Sequence, residues 1–507
     1  MNATNLFSNT KTGTQSHHGS QDEKYGDSPR TATQDIVDEL PHGYQQASTK
    51  VDPDEGFDPD FLKKTIRKID WRLVPFLAAC YSISLIDRTN ISLARAAGMN
   101  AALKLNVGDR YSIAVLSFFI PYILLEFPSN IGLRKFGAAI WLSTAVTLWG
   151  LMMIAMAYVK DHHQLAALRA LVGVFEAALF PGAAYLISCW YIRRQVQKRL
   201  SFFYVLSVFA TGMSSILAYG LGRIYTINRS LQPWQYIFVI EGGLTVFLGL
   251  IGYVVIVDFP DKAKFLTEDQ KKMTLVRIQR DRADAEHDPV TWSKVKTYIM
   301  DIKLWAFALM FMGTTTASYA LSYFLPRILA GMGFSTANSQ ILVAPPYVWA
   351  LIPAIASGIM SDKTQIRSIW IVLNCFCAIM GLALFAFLPA ANTAGRYAGI
   401  FLCAGGCNSN VPLVIGWAQI SIRAQSKRAY TSALTIAFGG IGGIASALVF
   451  REQDAPTYRL GIWFTIGFHI YIILACAALS FHFRKRNAQA DRHGEILEGH
   501  QDFRYQL

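Results

Sequence analysis

From Leu73 to Phe483 the chain is a close succession of apolar runs, each about the 20 residues that a helix needs to cross a bilayer. Their approximate bounds are 73–96, 111–132, 140–159, 164–190, 200–222, 234–257, 302–326, 338–360, 368–388, 396–420, 429–450 and 459–483. Lipid offers no water to backbone amides and carbonyls, so runs of this length must be helices. The expected fold class is an all-α integral membrane protein of about 12 transmembrane helices. Composition supports this, since 53% of the 507 residues are hydrophobic and 16% are charged, against about 25% charged in a soluble domain. That balance argues against a soluble enzyme.

Lys and Arg exceed Asp and Glu by 13, an excess that in a soluble chain would suggest nucleic acid. Here it is a topology signal. Arg67, Lys68 and Arg72 precede the first run, and Arg134–Lys135, Arg193–Arg194 with Lys198–Arg199, Lys363 with Arg367, Arg423 with Lys427–Arg428, and Arg484–Lys485–Arg486 occupy alternate connections. The intervening connections carry few basic residues. By the positive-inside rule both termini and the central loop are expected to be cytosolic, with no nucleic-acid partner.

Residues 1–66 read as a disordered cytosolic tail with no signal-peptide core. The expected organisation continues with an N-terminal six-helix bundle (67–257), a cytosolic central loop with helix-prone Thr267 to Lys272 (258–301), a C-terminal six-helix bundle (302–484) and a cytosolic tail (485–507). The halves echo each other. Pro121-Tyr122 with Pro128 recurs as Pro346-Tyr347 with Pro353, and Lys198-Arg199 recurs as Lys427-Arg428. Such parallel repeats suggest rocking halves with a site near the midplane.

An ionisable residue inside a span costs about 2.5–3.5 kcal/mol on insertion scales, so each is a functional hypothesis. Asp87 and Arg88 lie deep in the first span, and Arg169 and Glu176 lie seven residues apart in the fourth, within about 20° of one helix face. In the functional reading a carboxylate carries protons and an arginine forks onto an anionic substrate. The competing reading is a structural ion pair, with Asp87 merely neutralising Arg88. Asn90, Tyr122, Asn408 and Asn410 are candidate substrate contacts, although the two asparagines of the tenth span equally suit helix–helix hydrogen bonds. Glu126, four residues from Tyr122, reads as a gating residue tied to a basic loop or as transport chemistry, and Glu241 leaves the same choice open. Gly439-Gly440 and Gly442-Gly443 read as close helix packing.

The seven cysteines, Cys80, Cys189, Cys375, Cys377, Cys403, Cys407 and Cys476, have neither disulfide nor zinc spacing. Cys403 and Cys407 share a helix face with no His or acid beside them in sequence, so they read as packing residues, as does His469. No metal and no cofactor are expected.

Gly358-Ile359-Met360-Ser361-Asp362-Lys363 with Arg367 resembles the loop motif of the major facilitator superfamily, which makes Asp362, Lys363 and Arg367 candidate gating residues. In the first half, Gly132-Leu133-Arg134-Lys135 keeps the basic residues and lacks the Asp. The whole chain from Arg67 to Arg484 further resembles the anion:cation symporter family, in its fungal allantoate, nicotinate and vitamin permease branch. The matching pieces are Asp87-Arg88-Thr89-Asn90-Ile91, Tyr122 to Glu126 with Pro128-Ser129-Asn130, Arg169 to Gly173 with Glu176-Ala177 and Pro181-Gly182, Trp190-Tyr191, Ile237-Phe238 with Glu241-Gly242, Asp258-Phe259-Pro260-Asp261, Phe324-Leu325-Pro326 and Asp454-Ala455-Pro456 with Tyr458 and Gly461. The resemblance departs after Trp417, where Ile420-Ser421 replaces the usual paired Asn.

The resemblance implies a major facilitator fold of two six-helix bundles and proton-driven uptake of small organic anions. Asp87 and Glu176 would carry protons, and Arg88 and Arg169 would serve substrate binding and coupling. The expected function is a proton-coupled symporter importing a small carboxylate, as a monomer in the plasma membrane. An exporter or facilitator of the same fold and a membrane nutrient sensor are the alternatives, although the fifth span lacks the Gly-Pro-Gly-Gly pattern of antiporters. An intramembrane enzyme would need a catalytic set that these spans do not carry.

Overall fold

The computed structural model describes residues 53–281, 292–451, 454, 458–499 and 503–507. Residues 1–52 of the expected tail, 282–291 of the central loop and Ala455-Pro456 of the Asp454 motif lie outside these. The described chain is built from long helices that supply twelve spans, numbered here in chain order. Spans 1 to 6 are Pro59–Ala94, Arg110–Phe136, Ala138–Met156, His162–Glu176 continued by Leu179–Trp190, Arg193–Gly222 and Pro233–Val255. Spans 7 to 12 are Ile302–Gly331, Ala344–Thr364, Arg367–Phe387, Thr393–Ile420, Gln425–Val449 and Arg459–His493. Eleven are long and apolar enough to cross a membrane, and span 2, with 27 residues, is about 40 Å long.

The ends of several spans depart from expectation for local reasons. Span 1 starts at Pro59, inside the expected tail, because Asp58 accepts hydrogen bonds from the Asp60 and Phe61 amides and Pro59 suits the first helical position. Span 4 breaks at Ala177–Ala178, four residues before Pro181, whose missing N–H leaves the Ala177 carbonyl without its helical partner. The central connection forms the expected helix, Glu268–Asp281, opened by reciprocal bonds between Thr267 and Gln270, and a second one at Trp292–Ile299.

The repeat seen in sequence is also a repeat in packing. Spans 1 and 5, 2 and 4, and 3 and 6 pack together in the first half, and spans 7 and 11, 8 and 10, and 9 and 12 repeat those pairings in the second. At the face that carries the start of span 1 and the end of span 12, here the terminal face, each half has an ionic latch. Arg199 of span 5 forks onto Asp70 of span 1 at 2.6 and 2.8 Å, and Lys427 of span 11 reaches Asp301, which caps span 7, at 2.8 Å. Where the first-half loop lacks its Asp, Asp258 from the end of span 6 takes the place, accepting the Ala138 amide at the start of span 3. The halves meet through span pairs 2 with 11 and 5 with 8. Gly440 and Gly443 face Ile123 and Phe119 of span 2, whereas Gly439 and Gly442 face Phe311 and Thr315 of span 7, so this stripe is a packing seam. Towards the far face, Tyr111 donates to the Tyr323 carbonyl (3.1 Å) and Gln340 to the Leu93 carbonyl (3.3 Å), tying the halves together there.

The expected C-terminal tail is in part folded onto the second half. Span 12 runs to His493 and ends at Gly494 in the left-handed conformation, φ 66°, which reverses the chain. Tyr505 stacks on Phe483 at 4.4 Å, exchanges two backbone–side-chain bonds with Asn487, and Trp417 donates to the Gln506 carbonyl. Glu498, 6% exposed, accepts from both Lys303 and Lys427 at 2.9 Å. Burial opposes the charge, but the two ammonium groups prevail and hold the Glu498 carboxyl below the usual carboxylate range. A carboxyl with a depressed folded-state pKa stabilises fully above its unfolded value, about 4.3, and loses that contribution as pH falls through the folded value. Glu498→Ala should therefore lower the melting temperature of the detergent-solubilised protein at pH 7, with the difference from wild type shrinking progressively below about pH 4. A difference independent of pH would show that the ionised carboxylate is not what holds the segment.

Candidate functional site

Three of the candidate charges, Arg88, Arg169 and Glu176, converge between spans 1 and 4, and the pairing is not the one that sequence adjacency suggests. Arg88 Nε donates to Glu176 Oε1 at 2.5 Å, and Ser84, one turn before Arg88, donates its hydroxyl to the same oxygen. Arg88 Nη1 reaches across to the second half and donates to Tyr319 Oη of span 7 at 2.9 Å. The guanidinium also lies over the rings of Phe118 (5.2 Å) and Tyr122 (4.8 Å) of span 2. The ion pair is buried, Arg88 to 5% and Glu176 to 1% exposure, while Tyr319 is half-buried. Gly173 makes the assembly possible, because a Cβ there would collide with the Phe118 carbonyl. Spans 2 and 4 thus approach backbone to backbone, bringing both rings to the arginines.

Arg169 lies over the other side of this cluster, 4.9 Å from the Phe118 centroid. It is 1% exposed, it makes no ion pair among the described residues, and its Nε and Nη2 have no hydrogen-bond partner. Glu176 Oε2 is likewise unpartnered. One buried arginine is therefore compensated and the other is not.

Asp87 does not neutralise Arg88. It points to spans 3 and 6, accepting from Trp149 Nε1 at 2.8 Å, Thr245 Oγ1 at 2.9 Å and Asn90 Nδ2 at 3.1 Å. Helix geometry explains the divergence, since consecutive residues are 100° apart and Arg88 takes the face towards span 4. Asn90 accordingly belongs with Asp87 and not with the arginines. Tyr122 is at the arginines, and Glu126, one turn on, is buried with Oε1 unpartnered. Asn408 bonds its own helix at the Ala404 carbonyl, while Asn410 bonds the Ile371 carbonyl and Cys375 of span 9. Asn410 is thus a helix–helix tie. At the terminal face Arg367 pairs with Asp362 at 3.2 Å, and Lys363 is exposed.

The structure also places a histidine beside the cysteine pair that sequence left without one. His469 Nε2 is 3.6 Å from Cys407 Sγ, itself 3.9 Å from Cys403 Sγ, because spans 10 and 12 are neighbours only in the folded bundle. The other nitrogen, Nδ1, is 2.8 Å from the Thr465 carbonyl. No set of three or more His, Cys, Asp or Glu residues suited to a metal occurs among the described residues.

The buried site thus holds two arginines, one of which makes no ion pair among the described residues, and carboxylates on adjacent helices. The family model described as Major Facilitator Superfamily matches residues 77–447. The chain belongs to the Major Facilitator Superfamily. It is 28% identical to the MFS transporter prlL of a fungal species over 89% of this chain and 92% of that protein. It is 26% identical to the high-affinity nicotinic acid transporter of Saccharomyces cerevisiae over 94% of this chain and 90% of that one. Among solved structures, a bacterial homologue of the human lysosomal transporter Spinster, inward-facing and unoccupied, superposes with a TM-score of 0.61 at 16% identity, covering 85% of this chain and 99% of that one. Membership of this superfamily makes the chain a multi-pass membrane transporter and not an enzyme.

Ser84, Phe118, Tyr319, Trp149 and Thr245 were not singled out in sequence. Ser84 was accessible as the residue one turn from Arg88, but Tyr319 and Trp149 carry no signal in spans rich in aromatic residues. The ion pair has a testable energetic signature. Removing one partner of a buried pair leaves an uncompensated charge at about 3–5 kcal/mol, whereas replacing both with apolar residues is near neutral. Arg88→Met should thus lower the melting temperature of the purified transporter sharply, and Arg88→Met combined with Glu176→Leu should recover most of it. Additive losses in the double variant would rule the pair out.

Proposed function

We propose that this transporter is a proton-coupled symporter that imports a small organic anion, a carboxylate nutrient or vitamin, by alternating access. The observation that carries the proposal is Arg169, a buried guanidinium that makes no ion pair among the described residues, beside a second guanidinium held by a carboxylate. An uncompensated buried cation is costly, and an incoming carboxylate supplies both its charge and its two missing acceptors. The name of the relative that transports nicotinic acid, a carboxylate, supports the same class, as does the resemblance to the fungal branch of the anion:cation symporters.

The geometry suggests how proton and substrate are coupled. Glu176 and the substrate carboxylate compete for Arg88. Protonation of Glu176 removes its claim and frees Arg88 to join Arg169 on the substrate, and deprotonation restores the Arg88–Glu176 pair and expels the anion. Because Arg88 also bonds Tyr319 in the opposite half, the occupancy of the site bears directly on how the halves meet. The basic connections support a cytosolic terminal face by the positive-inside rule, with the far face then external. Asp362 and Arg367 would gate the cytosolic side, with Lys363 and Glu126 beside that path. Plasma-membrane residence and a monomeric state complete the proposal.

The test is uptake into vesicles, driven by an inward pH gradient, with labelled nicotinate, pantothenate, biotin, allantoate and simple sugar acids. At least one carboxylate should accumulate, and a protonophore or a rise in external pH should abolish the accumulation. Arg169→Lys should raise KM about tenfold or more, since one charge-assisted hydrogen bond contributes about 1.5–3 kcal/mol, and Glu176→Gln should leave exchange without accumulation. Gradient-insensitive uptake, or normal transport by the Arg169 variant, would sink the symport reading.

A further inference from the structure

The first turns of span 1 carry a charged face that the substrate site does not use. Lys64, Arg67, Lys68, Trp71 and Arg72 line one shallow hollow at the terminal face. Helix geometry puts all five within an arc of about 140°, with Pro75 near the middle of that arc one turn further on. The four basic side chains are exposed, as are Trp71 (72%) and Pro75.

The elements packed around this face do not neutralise it. Lys64 and Arg67 make no ion pair among the described residues. Lys68 reaches the Gln270 side chain of the central helix at 3.5 Å, and Arg72 lies over the Phe265 ring at 5.6 Å, two contacts that bring no charge. Asp60, one turn before Lys64, makes no ion pair among the described residues, and Asp70, outside the arc, is held by Arg199. Lys64 with Lys68 and Lys68 with Arg72 are like charges four residues apart, a spacing that destabilises a helix by itself. A helix end that only had to be wetted would gain from alternating signs, whereas this one sets four cations side by side.

Their depth in the membrane specifies what meets them. The apolar part of span 1 begins at Leu73, Trp settles at membrane–water interfaces, and Pro75 is exposed on the same face where the lipid chains begin. The cations therefore stand at the level of the lipid headgroups. A phosphodiester offers them a single negative charge, and a phosphomonoester adds about 1.5–2 more. Guanidinium groups fork onto phosphate oxygens, and lysines add point charges beside them.

We infer that this face binds the headgroup of an anionic phospholipid that carries a phosphomonoester beside its phosphodiester. The headgroup lies among Lys64, Arg67, Lys68 and Arg72, and the acyl chains descend past Trp71 along Pro75. The site is separate from the buried arginines and depends on residence in a bilayer, not on what the protein transports.

Native mass spectrometry of the full-length protein, released from detergent and titrated with single lipids, reads the binding directly. Phosphatidylinositol 4-phosphate should bind about tenfold or more tighter than phosphatidylinositol, with phosphatidylcholine weaker still. Lys64→Gln combined with Arg67→Gln should remove most of that preference and keep the wild-type melting temperature, because neither side chain has an ion-pair partner to lose. Arg484→Gln combined with Lys485→Gln removes the same charge from exposed positions at the end of span 12 and should leave the preference intact. Equal binding of the two inositol lipids by wild type would overturn the inference. So would equal losses in the two double variants, which would make the effect one of net charge. Inositol 1,4-bisphosphate, the headgroup without its chains, should bind far more weakly than the lipid; binding as tight as the lipid's, lost in the Lys64 and Arg67 variant, would make the ligand a soluble phosphate and overturn the lipid site.

Discussion

The structure rests on the cost of placing ions inside a membrane. Arg88 and Glu176 are buried at mid-span, where each alone would carry a desolvation penalty of several kcal/mol. Their contact at 2.5 Å ties span 1 to span 4, and the Ser84 hydroxyl, the Tyr319 hydroxyl and the faces of Phe118 and Tyr122 replace the water that both groups have lost. The close approach of spans 2 and 4 at Gly173 follows from the same need. What the pair leaves over is Arg169, whose Nε and Nη2 have no hydrogen-bond partner among the described residues, and this is the position proposed above for the substrate anion.

Around this centre the two halves are built as stiff bodies. Each half repeats the same three helix pairings, and each is latched at the terminal face by an acid in or capping its first span and a base of its fifth, Asp70 with Arg199 and Asp301 with Lys427. The second half is stiffened further by its C-terminal segment, whose Glu498 joins both lysines. A seam of glycines and aromatic rings suits the alternating access proposed above, because it holds by surface contact and has few directional bonds to break.

Much of the site was legible in the chain. Charges at membrane depth are expensive enough that Asp87, Arg88, Arg169 and Glu176 identify themselves, and seven-residue spacing puts Arg169 and Glu176 on one face of span 4. Their partners were not legible. Asp87 and Arg88 are adjacent in sequence but look 100° apart, so one joins Trp149 and Thr245 and the other joins Glu176 and Tyr319. Asn410 became a tie to span 9, and His469 came to lie against Cys407, because neighbours between helices are set by packing across tens or hundreds of residues. The end of the chain was similarly hidden, since its polar composition reads as a tail until Lys303 and Lys427 are brought beside Glu498.

The sequence by itself determined the solvent, the secondary structure, the number of spans and the repeat. These follow from the length of apolar runs, from the backbone's need to bond to itself in lipid and from residues that recur at a fixed shift. Only the tertiary structure decided which carboxylate neutralises which arginine, and which arginine makes no ion pair among the described residues. Those outcomes depend on distances of a few ångströms between side chains of different helices, and no periodicity within a single helix encodes them.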